Sequence, residues 1–216
     1  AIGRYRTDKG RNKLYELAHE IYKAPNATIA YQNLTRELLK LIKKYEDNKR
    51  FESDLKRDDF YERIDGTAIR YLFYEYECYL REQAGEPVEI ELKEILSIDP
   101  KTKKFKYHIE HIWPEKLPIS KGIDYLRREY NIDEKDLEVY DRYVHRLGNL
   151  TLASSHWNQS MLNKPFKEKV KYYEKSIFRV QRELAEYTDW GIERIKEREE
   201  KIIKFALERW RLPSDT

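Results

Sequence analysis

At 216 residues the chain is long enough for one large domain, or a domain with a helical extension, and long enough to bury a real core. Charged residues make up 38% of it, yet the net charge is only +3, so bulk electrostatics give no case for nucleic acid and leave only a local basic patch to carry one. The single cysteine excludes an internal disulfide and a cysteine-rich zinc site and fits a reducing compartment, and no apolar run approaches the roughly 20 residues of a membrane span.

Seven glycines and seven prolines are few for this length and favour long helices. The opening AIGRYRTDKG carries no signal peptide and no Met; it reads as an arm over residues 1–10 and as a cut from a longer, cytosolic protein. Helical spacing of Leu14, Leu17, Ala18, Ile21 and Tyr22 predicts a helix from Arg11 to Lys23, stopped by Pro25. A second helix is expected from about Thr28 to Tyr45, with Leu34, Leu38, Leu41 and Ile42 on its stripe. The polar stretch from Asp47 to Arg57 is a loop or a short helix. From Gly66 to Arg81, Ile69, Leu72, Phe73, Tyr76 and Leu80 recur every three or four residues, and Gly85 and Pro87 close a buried helix. Cys78 falls within it and is expected to be buried and inert.

The period then changes. Phe105, Tyr107 and Ile109 alternate with Lys104, Lys106 and His108, which is a strand pattern stopped by Pro114. One or two helices are expected over Gly122–Leu147, a short strand over Asn149–Leu152, a loop after it, and a helix near Pro165, a residue suited to a first helical turn. A last helix spans about Asp189 to Trp210, with Trp190, Ile195, Ile202, Phe205, Ala206 and Trp210 on its apolar side. Three regions follow: a helical region over 1–100, a central core over 101–175, and a helical region over 176–216 packing on it. The fold class is α+β, predominantly helical, a bundle around a small ββα core.

Four of the five histidines, His108, His111, His145 and His156, lie between residues 104 and 169, and groups that titrate near neutrality gather there more than anywhere else; His19 reads as a helix-surface residue. Glu110 sets a hard oxygen ligand beside the His111 imidazole, a pairing suited to Mg²⁺ or Mn²⁺ and to proton abstraction from water. Neighbours on a regular strand point to opposite faces, so the two serve one site only if the chain bends there. His108 shares the Glu110 face and is expected to orient it. A surface pair is the bland alternative, and a zinc site with His145 and His156 is disfavoured by its spacings.

Three motifs occur in order: IEHIWP at 109–114, HRLGNLTL at 145–152, and NxxxxNKPFxxK at 158–169. Together they resemble the HNH (ββα-metal) nuclease domain at the C-terminus of GmrSD-like restriction proteins. RYLFYEYE at 70–77 resembles the helix before that core and the run 189–210 its closing helix, so the resemblance spans about Ala68 to Pro213. It implies a metal-dependent DNA endonuclease leaving 5′-phosphate and 3′-hydroxyl ends, with RNA left open as substrate. His111 matches the general base, and Asn149, grouped with it as catalytic, the residue that ties the ββα loop together. Glu110 and Asn158 match the metal ligands, with Mg²⁺ the expected ion and Mn²⁺ the second choice; many relatives have Asp and His at those two places, and His156 is the substitute ligand. His145, Arg146, Lys164 and Lys169 flank the site as phosphate contacts, against the alternative of solvated surface charge and, for His145, a structural anchor. Trp113 and Phe166 are expected to pack. The resemblance also implies an N-terminal nucleotide-binding sensor module, since no Gly-rich phosphate loop is present here, a bacterial cytoplasmic phage-defence setting, and a homodimer where both strands are cut. The rival is a catalytically silent module that binds nucleic acid or partner subunits and keeps the ββα scaffold.

Overall fold

The computed structural model of the chain describes residues 10–45 and 47–211. The arm over 1–10, apart from Gly10, and the last residues of the resembling stretch lie outside it. The fold is predominantly helical, arranged on one two-stranded antiparallel sheet, which is the expected α+β class. Among the described residues no helix is long and apolar enough to cross a membrane.

The helices α1 (Arg11–Lys23) and α2 (Ala27–Tyr45) form a hairpin. Asn26 starts α2 by accepting hydrogen bonds from the Thr28 and Ile29 amides. Leu17 and Ala30 are buried, whereas Leu14, Ile21, Tyr22 and Ile42, expected on the covered stripes, stay exposed; α1 and α2 pack chiefly on each other, which needs only a narrow contact face. Asp47 caps α3 (Asn48–Leu55), so the polar stretch left open in the sequence contains a short helix. The single turn α4 (Phe60–Arg63) precedes α5 (Gly66–Ala84), whose Ile69, Leu72, Phe73 and Tyr76 are fully buried. α5 ends at Gly85 with φ 67°, a left-handed turn that glycine adopts without a Cβ penalty. Cys78 is half-buried, and burial raises its thiol pKa.

After the turn α6 (Leu92–Ile95), β1 (Tyr107–His111) pairs with β2 (Leu150–Ser154). The register sets Ile109 opposite Leu152, Glu110 opposite Thr151 and His111 opposite Leu150. Between the strands lie α7 (Ile123–Tyr130) and α8 (Glu134–Val144), the latter opened by a reciprocal Asp133–Asp136 capping box. β2 runs directly into α9 (Ser155–Met161), where the sequence suggested a loop: the Ser154 hydroxyl accepts from the Trp157 amide and starts a helix at once. α10 (Phe166–Tyr173), α11 (Arg179–Arg182) and α12 (Ile192–Arg209) complete the chain.

The ribbon is a wall between two cores. Tyr107, Leu150 and Leu152 face the cluster built with α5 and α12. Ala153 faces the other, with Trp113, Met161, Phe166, Tyr173 and Trp190. Arg70 of α5 donates to the Tyr107 carbonyl at 2.9 Å, and fully buried Arg198 of α12 donates to the carbonyls of Gly148 and Leu150 at 3.0 and 2.6 Å. These bonds fix both strands to the flanking helices. α12 crosses so close that a Cβ on Gly148 would fall 2.0 Å from the Ile195 carbonyl oxygen, so glycine is required there.

Candidate functional site

Alternation along β1 sends His108 and Glu110 to one face of the ribbon and His111 to the other. The chain makes no bend that brings the two neighbours to one side. They reach the same end of the ribbon from opposite faces.

On the first face the Glu110 carboxylate is buried, and its partner is Lys169 of α10, Nζ to Oε1 at 2.5 Å. Lys169 Nζ also donates to the His111 carbonyl at 2.5 Å. Burial raises the Glu110 pKa and lowers that of Lys169, and their mutual attraction opposes both shifts. Lys169 is therefore an internal cation, not the surface phosphate contact expected of it. Two polar atoms near this pair, Thr151 Oγ1 and Tyr173 OH, are buried without a hydrogen-bond partner, and so is Asn158 Oδ1 on α9. Thr151 lies directly across the ribbon from Glu110, and the Glu110 charge helps hold the Tyr173 phenol protonated after burial, the main cause. Asn158 sits on α9, which packs on both strands.

On the second face His111 is buried and its Nε2 lies 3.2 Å from Nδ1 of His145. The Tyr61 ring stands edge-on to His111 with centroids 4.5 Å apart and stacks on His145 at 5.7 Å. The outer nitrogen of His145, Nε2, lies 3.6 Å from Glu62 Oε1. Burial, and after it His145 and Lys169, push the His111 pKa down to about 3, so the ring is neutral at physiological pH. Sequence reasoning missed Tyr61 and Glu62, which lie some 50 residues upstream in a charged stretch with no motif.

Other expected residues have different partners. His108 does not orient Glu110; its Nε2 is 3.0 Å from the Ser155 hydroxyl, which itself donates to the Lys106 carbonyl at 2.8 Å, so it joins β1 to the start of α9. Asn149 is fully buried and makes four internal hydrogen bonds: Oδ1 accepts from the Trp113 amide (2.7 Å) and the Trp190 indole (3.0 Å), and Nδ2 donates to the carbonyls of Trp113 (3.0 Å) and Val144 (2.8 Å). With its amide capacity spent it has no atom left for a substrate, so it is structural and not catalytic. Arg146 is held by Glu199, Nη2 to Oε2 at 2.5 Å, and by Asp58 at 2.7 Å, which removes it from the phosphate contacts. His156 is exposed on α9, whereas the Glu110 carboxylate it would join as a substitute ligand is buried. Lys164 donates to the Tyr172 hydroxyl at 3.1 Å and stays partly exposed.

Among the described residues no group of three or more His, Cys, Asp or Glu gathers as a metal cage. The donors the sequence assigned to a cation are oxygens, of Glu110, whose Oε1 is paired with Lys169, and of Asn158, whose Oδ1 is unpartnered; oxygen donors fit a hard cation such as Mg²⁺ better than zinc.

An antiparallel ribbon leading into a helix, with a carboxylate and an imidazole at its end, is set in a predominantly helical α+β frame. The family profile described as GmrSD restriction endonucleases, C-terminal domain, matches residues 45–205, and the chain belongs to that family. Membership implies a nuclease domain of the restriction-endonuclease type. No curated protein matches the chain.

Proposed function

We propose that the chain is a metal-dependent endonuclease of the HNH kind that hydrolyses DNA phosphodiester bonds at the end of the ribbon. The observation that carries this reading is a buried carboxylate with the unpartnered buried oxygens of Thr151 and Tyr173 beside it and a neutral imidazole as its chain neighbour; the unpartnered Asn158 oxygen on α9 supports it. Buried polar atoms left unpaired cost about 1–3 kcal/mol each, a cost that a bound ion or substrate would relieve.

Each residue then has a task. With Nε2–H of His145 turned to Glu62, Nδ1 of His145 accepts from Nε2–H of His111, and the Nδ1 lone pair of His111 is free to take a proton from water. Such a base supplies about 10²–10⁴-fold, so most of the acceleration has to come from charge stabilisation and positioning. Glu110 and Asn158 would hold Mg²⁺, or Mn²⁺, and the ion would neutralise charge on the phosphate and the departing oxygen. Lys169 fixes the Glu110 carboxylate and the His111 backbone together, keeping the ribbon end rigid. Tyr61 covers His111 and would shift as a substrate phosphate enters. An upstream nucleotide-binding sensor module, a second copy for cutting both strands and a bacterial cytoplasmic setting belong to the same reading.

One observation favours the rival, a silent scaffold: the Lys169 ammonium already satisfies one Glu110 oxygen. Two measurements separate them. Supercoiled plasmid with the purified chain and Mg²⁺ or Mn²⁺ is expected to be nicked, with loss in EDTA and in His111→Ala. Mg²⁺ is expected to raise the melting temperature of the wild type but not of Glu110→Gln. Equal nicking by His111→Ala, or no Mg²⁺ effect on wild-type melting, would sink the assignment.

A further inference from the structure

Beside the ribbon site, on the outer side of α9 and α10, lies a recess of about 290 Å³ lined by His156, Trp157, Lys171, Tyr172 and Lys175. The Trp157 and Tyr172 rings meet edge to face, centroids 6.0 Å apart at 72°, and form a corner with two aromatic walls. Both rings remain partly exposed, although they rest on the second core. Cations surround the corner: Lys164 Nζ lies 5.2 Å and Lys171 Nζ 5.7 Å from the Tyr172 ring centroid, and Lys175 stands at the rim. No carboxylate lines it.

We infer that this recess binds an unpaired nucleotide of a nucleic-acid strand, the base stacked on Trp157 or Tyr172 and the flanking phosphates held by Lys164, Lys171 and Lys175. The proposal deepens the nuclease reading and rests on it for its place in the reaction. Trp157 directly precedes Asn158 on α9, so a strand whose phosphate meets the ribbon end brings a neighbouring base to the corner. Aromatic faces recognise bases without regard to sequence, and only a base outside a duplex stack can offer its π-face to them. Lys164, Lys171 and Lys175 form no ion pair among the described residues and supply the matching charge.

The test is binding without cleavage. A dye-labelled single-stranded oligothymidylate and a hairpin duplex of equal length are titrated with the whole chain in EDTA over a salt series, and anisotropy is read. The wild type is expected to prefer the single strand. Trp157→Leu is expected to weaken it about 10-fold, within the range found for losing one base stack. The double variant Lys171→Gln/Lys175→Gln, at exposed positions that leave folding intact, is expected to lower the slope of log affinity against log salt by about 1.4, or ~0.7 per lost phosphate contact. No single-strand binding by the wild type, or affinity and slope unchanged in the double-lysine variant, overturns the proposal. Plasmid nicking run in parallel keeps the two readings apart. Nicking with a recess-insensitive affinity sinks the recess alone, and recess binding in a chain that never nicks sinks the hydrolase alone.

Discussion

Asn149 places one side-chain amide among the Trp113 backbone, the Val144 carbonyl and the Trp190 indole, joining the end of β1, the end of α8 and the approach to α12. Its value lies in what its loss would leave behind. Asn149→Ala strands two donors and two acceptors where Asn149 itself is fully buried, and each unsatisfied group costs about 1–3 kcal/mol before water enters. The expected result is a drop in unfolding free energy of about 3 kcal/mol or more in urea denaturation, with nicking lost along with the fold. An unchanged midpoint with lost nicking would instead put the amide in contact with substrate. Lys169 shows the same logic with charge. Neither it nor Glu110 is stable alone at that depth, and removing one partner of such a pair costs far more than the pair contributes.

Caps and crossings govern the elements. Asp65 starts α5 by accepting from the Thr67 and Ala68 amides at 2.9 and 3.3 Å. Partial burial pushes its carboxyl pKa up, but the Thr67 amide and hydroxyl with the Ala68 amide together help hold it below the ordinary value. A pKa lowered by folding means the cap's contribution is fully present above the unfolded pKa of about 3.9 and fades as pH falls through the folded value. Asp65→Ala is therefore expected to cost about 1 kcal/mol at pH 7, with the difference from wild type shrinking below pH 4 in urea titrations. A difference constant from pH 7 to pH 3 would show that the charge is not what caps the helix. The buried stripe of α5 and the alternation of β1 were legible in the sequence because each carries its own period and its own stop, at Gly85 and Pro114. The helix α9 was not legible: SHWNQSM has no apolar period, and only the Ser154 cap against β2 makes it a helix. Glu110, His111 and Asn158 stood out by residue type and motif. Their partners did not, because Lys169 lies 59 residues from Glu110 and His145 34 from His111, and such pairings follow from packing and leave no local pattern.

At the scale of the molecule the ribbon carries two chemistries on two faces, and both cores are needed to hold them: α5 and α12 behind the His111 face, α9 and α10 behind the Glu110 face. The α1–α2 hairpin stands apart from this division. Its helices pack chiefly on each other, neither contributes to either large core, and Tyr15, Tyr22 and Tyr31 remain mostly exposed. The family match begins at residue 45, where α2 ends. α3, by contrast, belongs to the body: Leu55 is fully buried in the first core, and Phe51 meets Trp210 edge-on at 6.1 Å. Removing residues 1–45 should therefore expose little apolar surface on the body, and hydrophobic stabilisation scales with the area that leaves water. The shortened chain is expected to melt within a few degrees of the full one and to nick plasmid at a comparable rate, since both faces of the ribbon keep every partner named above. A melting point lowered by 10 degrees or more in differential scanning calorimetry would mean that the hairpin supports the body after all, and that the nuclease unit does not begin at α3.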